Sequence, residues 1–120
     1  MQERLQIAQM LYAQRMLKKK TQSKCGDALG VTFQQFQKYE KADNGIPSTK
    51  LLLFCKKFGV KLSEFQDGDP YSVIEGAEIH PLKKEECFER LNELELKLNR
   101  KEQSDDKSRS EENMAGQSIS

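Results

Sequence analysis

Between residues 22 and 41 the apolar and small side chains fall into two short runs of helical spacing, Cys25, Gly26 and Leu29 in the first and Phe36 and Tyr39 in the second, with Gly30 and Val31 between them. Spacings of three and four put such positions on one side of a helix, so the segment predicts two short helices joined by a tight turn at Gly30. Local chemistry agrees with the pattern. Gly26 falls where two steeply crossing helices would touch, and without a Cβ it lets their backbones approach. Gly30 sits just past the first helix, where a left-handed residue ends it at little cost. Thr32 precedes the second, and its hydroxyl can accept a hydrogen bond from an orphan backbone N–H.

The same periodicity extends to both sides. A first helix is expected from about Glu3 to Lys19, with Leu5, Ala8, Leu11, Tyr12 and Met16 facing inward. Asp43-Asn44-Gly45 marks a turn, and Pro47-Ser48 opens a fourth helix through Leu51, Leu52, Phe54, Cys55 and Phe58 that Gly59 stops. A short fifth helix near Ser63 brings Leu62 and Phe65 to close the core. The expected fold class is all-α, a compact five-helix domain over residues 1–66.

Beyond it the pattern changes twice. Residues 67–81 are too apolar for a pure linker, with Tyr71, Val73, Ile74 and Ile79 fit either to cover the domain or to form a dimer contact. Residues 82–102 read as an acidic amphipathic helix whose seam of Cys87, Leu91, Leu94 and Leu98 spans under three heptads, too short for a firm coiled coil. Docking on its own domain and dimerisation both fit that seam. Residues 103–120 hold scarcely an apolar side chain and are expected to be disordered.

Charge separates these regions. The chain of 120 residues carries a net charge of +1, but residues 1–66 hold 12 Lys and Arg against 5 Asp and Glu, whereas residues 67–120 hold 8 against 14. A basic folded module suits phosphate, because each phosphate it neutralises releases counterions. The 36% apolar content supports one modest core. No run is apolar enough to cross a bilayer. Lys18-Lys19-Lys20 follows the apolar part of the N-terminal stretch, the reverse of a signal peptide, so a cytoplasmic, nucleoid-associated protein without membrane contact is expected.

On the second helix of the pair, Gln34, Gln35, Gln37 and Lys38 point away from the inner stripe, presenting amides and an ammonium that suit base edges and phosphates. An ordinary solvated helix explains any one of these glutamines but not the whole array with its caps and turn. Thr21-Gln22, Leu29-Gly30-Val31-Thr32, Glu40, Pro47 and Phe58-Gly59-Val60 occur in the order found in one family. From about Leu11 to Phe65 the chain resembles the Cro/C1-type (XRE) helix-turn-helix regulators, whose domain is lambda-repressor-like.

The resemblance implies a sequence-specific regulator that binds double-stranded DNA as a homodimer on an inverted repeat. Thr32, Phe33 and Gln34 would then open the recognition helix and meet base edges, with Gln34 suited to adenine and Lys38 to guanine. Phe33 would touch a thymine methyl or pack on the preceding helix. Gln37 is assigned to bases and Gln35 to phosphate, about a hundred degrees to either side of the central position. Gln22, at the start of a helix, is the leading phosphate contact, with Lys24, Lys41, Asn44 and Lys50 adding to it. The family also pairs an Arg ending the first helix with a Glu ending the third, which here implies an ion pair between Arg15 and Glu40.

Catalytic and metal chemistry find no footing. Cys25, Cys55 and Cys87 are odd in number and widely spaced; the first two sit at apolar helical positions, while Cys87 fits an exposed place and a weak oxidation-sensing role. His80 precedes Pro81 with no partner in sequence. No metal, cofactor or enzyme activity is expected. The competing reading is an antitoxin or anti-regulator whose C-terminal half binds a protein partner.

Overall fold

In the N-terminal region Thr21 and Thr32 cap the second and third helices through their side chains, while the fourth and fifth begin at Pro47 and Lys61 without a side-chain cap. In the computed structural model, which describes the backbone of residues 2–115 and 117–119 and the side chains of residues 3–100, α1 spans Gln2–Leu17 and α2 Gln22–Leu29. α3 spans Phe33–Glu40, α4 Ser48–Phe58 and α5 Leu62–Asp67. The first helix stops short of the expected Lys19, which takes a left-handed φ of 58° to turn the chain. Gly30 and Gly59, at φ 71° and 67°, end α2 and α4, as their lack of a Cβ allows.

The core is an aromatic file. Phe54 of α4 stacks on Phe36 of α3 at 6.4 Å between centroids and meets Phe65 of α5 edge-on at 6.0 Å. Phe36 and Phe54 are completely buried, and Leu11, Cys25 and Leu29 surround them from α1 and α2. Burying a phenylalanine contributes roughly 1.5–3 kcal/mol, so this file fixes how α3 lies against α4. Leu52 and Leu62, expected inside, are instead 52% and 40% exposed. On α4 the buried positions are Leu51, Phe54 and Cys55, and Leu52 lies a hundred degrees off that stripe.

The region after α5 folds onto the domain. Asp69 caps α6 (Pro70–Glu75) through the Tyr71 N–H at 3.0 Å, and Pro70 occupies the first turn, where its missing N–H is no loss. Ile74 is fully buried in the main core, with Tyr71, Val73 and Ile79 packed at its edge, so residues 67–81 cover the domain. Gly68, the joint between α5 and α6, has room for nothing larger: a Cβ there would lie 2.5 Å from the Glu64 carbonyl oxygen.

α7 (Pro81–Asn113) lies across α1 and α6. Its seam of Cys87, Leu91, Leu94 and Leu98 is buried within the chain, the last two against Ala8 and Ala42. The buried Gln9 side chain donates from Nε2 to the Leu91 carbonyl at 2.9 Å, and Tyr71 stacks on Phe88 while its hydroxyl lies 2.6 Å from the Glu95 carboxylate. The seam is therefore spent on docking. Cys87 is not exposed, as the sequence suggested, but fully buried at that dock, so an accessible oxidation-sensing thiol is ruled out. A short antiparallel pair, β1 (Met114–Ala115) and β2 (Gln117–Ile119), follows, and every other regular element is helical. The expectation of disorder over 103–120 falls on residues whose side chains lie outside the described set.

Candidate nucleic-acid interface

α2 and α3 meet at Gly26. A Cβ built there would stand 3.0 Å from the Val31 carbonyl oxygen and 3.2 Å from that of Thr32, so any larger residue would have to push the turn a few tenths of an ångström away from α2. Thr32 Oγ1 then accepts from the Gln35 N–H at 3.0 Å, and Thr21 Oγ1 does the same for Lys24 N–H at the start of α2. Such caps satisfy donors that the first turn would otherwise leave orphaned.

The face of α3 that points inward is set by Phe36, Tyr39 and Glu40, three residues apart and then one. Its other face is open: Thr32, Phe33, Gln34 and Lys38 are exposed, and Gln35 and Gln37 are half-buried on its flanks. Phe33, the first residue of α3, keeps 41% of its surface in solvent.

The far end of α3 is anchored by charge. Glu40, 2% exposed, accepts hydrogen bonds from Arg15 Nε at 2.5 Å, Arg15 Nη2 at 3.2 Å and Gln22 Nε2 at 2.9 Å. Arg15 Nη1 also donates to the Lys20 carbonyl at 3.0 Å. One carboxylate thus ties the end of α1, the start of α2 and the end of α3, with its lone pairs satisfied.

The residues assigned to phosphate separate into three sorts. Lys24, Lys41 and Asn44 are exposed. Gln22 spends one amide N–H on Glu40. Lys50 donates from Nζ to the Leu29 carbonyl at 2.8 Å, closing the C-terminal end of α2.

An open cleft of about 590 Å³ lies beside this surface, bordered by Gln22 and Ser23 of α2, Phe33 of α3, and a ring of cations. Two of these, Lys83 and Arg90, come from α7 and went unassigned in the sequence, although their spacing of seven residues puts them on one side of a helix. Lys19 and Lys20 border it from the end of α1, and their run carries no such signal in the sequence.

Burial pushes the Cys25 thiol up to about 11, away from thiolate reactivity, and Cys55 shifts the same way. Among the described residues, no cluster of His, Cys, Asp and Glu could hold a metal ion, and no helix is long and apolar enough to cross a membrane.

No family model and no solved structure matches the chain. Two curated proteins are similar to it, both named uncharacterized HTH-type transcriptional regulators, from Sinorhizobium medicae (strain WSM419) and Rhizobium meliloti (strain 1021). Each is 40% identical over 50 residues, which is 42% of this chain and 36% of the relative. The match spans little more than a third of the relatives' length.

Proposed function

We propose that this chain is a DNA-binding transcriptional regulator of the Cro/C1-type (XRE) class that sets the leading end of α3 into the major groove. The observation that carries the reading is the two-sidedness of α3: Phe36, Tyr39 and Glu40 are buried and fastened, while Phe33, Gln34 and Lys38 of the same eight-residue rod, and Thr32 that caps it, face solvent. The names of the two similar proteins, HTH-type transcriptional regulators, support a DNA-binding regulator of the helix-turn-helix kind. No enzymatic role is part of this reading.

Base reading falls to Thr32, Phe33, Gln34, Gln37 and Lys38. Gln34 can offer its amide to adenine N6 and N7, and Lys38, one turn on, donates to guanine O6 or N7. Gln22, Lys24, Gln35, Lys41 and Asn44 contact phosphate; Gln22 still has a second amide N–H, since only one is used on Glu40. Lys50 serves more as the latch on Leu29 than as a phosphate contact. A homodimer on an inverted repeat would set two recognition helices about one helical turn apart, roughly 10 base pairs. Because the α7 seam is buried inside the chain, the contact between copies uses other surface.

Selection of bound duplexes from a random pool, followed by binding measurements on Gln34→Ala, tests the reading. The variant is expected to lose about 1–3 kcal/mol of discrimination at one base pair of each half-site while its thermal stability stays within about 0.5 kcal/mol of wild type. Failure of the wild-type chain to retain any duplex at low ionic strength would overturn the proposal.

A further inference from the structure

Arg90 projects from the acidic half of the molecule, yet its guanidinium lies 5.8 Å from the centre of the Tyr12 ring, and Arg15 reaches the same ring at 5.6 Å. That places Arg90 on the rim of the cleft beside Gln22 and Phe33, together with Lys83, Lys19 and Lys20. Arg15 is neutralised by Glu40. Among the described residues the other four cations form no buried ion pair, although Arg90 also borders a second hollow that Asp43 and Glu93 line. Lys83 has a loose, exposed pairing with Glu86 at 3.5 Å, and among the described residues no carboxylate comes within ion-pair distance of Lys19, Lys20 or Arg90.

Four weakly compensated cations around one open hollow repel each other, and an anion between them relieves that repulsion. The position of the hollow selects the anion. It opens directly beside the first residue of α3 and the first turn of α2, so a helix seated in the major groove brings the phosphates lining that groove to its mouth. Resting on the DNA reading proposed above, we infer that α7 carries part of the phosphate-binding surface. Arg90 and Lys83 complete, with Lys19 and Lys20, a cationic cleft that holds one strand of the DNA backbone beside the leading end of α3. The docked C-terminal helix therefore enlarges the footprint beyond the helix-turn-helix itself. Cys87 and Leu91 flank Arg90 in sequence and are buried, so the guanidinium is held at the rim by the same dock.

The test is the salt dependence of binding by the full chain, using a duplex selected as above and fluorescence anisotropy. Arg90→Ala is expected to lower the slope of log K against log salt by about 0.9, and Lys83→Ala with Arg90→Ala by about 1.8, with the preferred sequence unchanged. Arg90→Lys, which keeps the charge, should restore the wild-type slope and shows that the loss is electrostatic. Arg100→Ala removes a cation from the same helix away from the cleft and should leave the slope alone. Wild-type binding with an unchanged slope for Arg90→Ala, or an equal drop for Arg100→Ala, would overturn the role given to α7. Absence of any duplex binding by the wild-type chain would instead remove the DNA reading on which it stands.

Discussion

The two ends of α3 are built in opposite ways. At the leading end, Thr32, Phe33 and Gln34 are exposed and held by one side-chain cap, the 3.0 Å bond from Gln35 N–H to Thr32 Oγ1. At the trailing end, Tyr39, Glu40 and Ala42 are buried, and the Glu40 carboxylate gathers donors from α1 and α2. A surface that must meet another molecule cannot also be covered by its own chain, so rigidity has to come from elsewhere on the element. Here it comes from eight residues away. α3 is thus a cantilever, fixed at its tail and presented at its tip.

Removing the anchor should have the largest effect. Glu40→Ala leaves the Arg15 guanidinium, 12% exposed, and one Gln22 amide N–H without their acceptor. A stability loss of about 3–5 kcal/mol is expected from denaturant titration, because an uncompensated partly buried charge remains. Arg15→Ala should lose a similar amount, and the double variant much less than the sum, since both remove one interaction. Additive losses would show that the tail is held by apolar contacts alone and that Glu40 is incidental.

Much of this asymmetry is legible in the residues themselves. Gly26, Gly30 and Thr32 announce the turn because each meets a local need of the backbone, and local needs leave local signals. Phe36 and Tyr39 announce the inner face by spacing. Contacts between distant elements are less visible. Gln9 is buried on α1, 4% exposed, where composition argues for the surface, because the Leu91 carbonyl of α7 receives its amide from 82 positions away. Leu94 and Leu98 could serve a dock or a dimer equally well on periodicity alone, and only the position of Ala8 and Ala42 decides for the dock. Leu52 and Leu62 have the right chemistry for a core but the wrong angle on short helices. Gln22 and Lys50 look like free donors in sequence, and each has an acceptor supplied by a segment at least 18 positions away.

At the leading end a smaller change is expected. Thr32→Ala removes the cap from the first turn of α3 and should cost about 1 kcal/mol. Amide exchange would be faster at Gln35 than in wild type, while Tyr39 and Glu40 should keep their protection. Loss of protection along the whole of α3 would contradict the cantilever, since a tail that depends on the tip is not a separate anchor.

The smallest effect belongs to the link between that tail and α7. Just past Glu40 the chain turns through Ala42, whose positive φ of 60° is unusual for a residue with a Cβ, and Lys97 donates to the Lys41 carbonyl at 3.2 Å and pairs with Asp43 at 2.8 Å. Both partners of the pair are about two-fifths exposed, so the charges are screened by water and salt. Lys97→Ala is therefore expected to cost about 0–1 kcal/mol, fading as salt is raised. The Ala42 turn itself is held by burial against Leu94 and Leu98 rather than by the ion pair. A loss well above that range, insensitive to salt, would mean that Lys97 holds the left-handed turn in place and that the anchor of α3 extends through charge as far as α7.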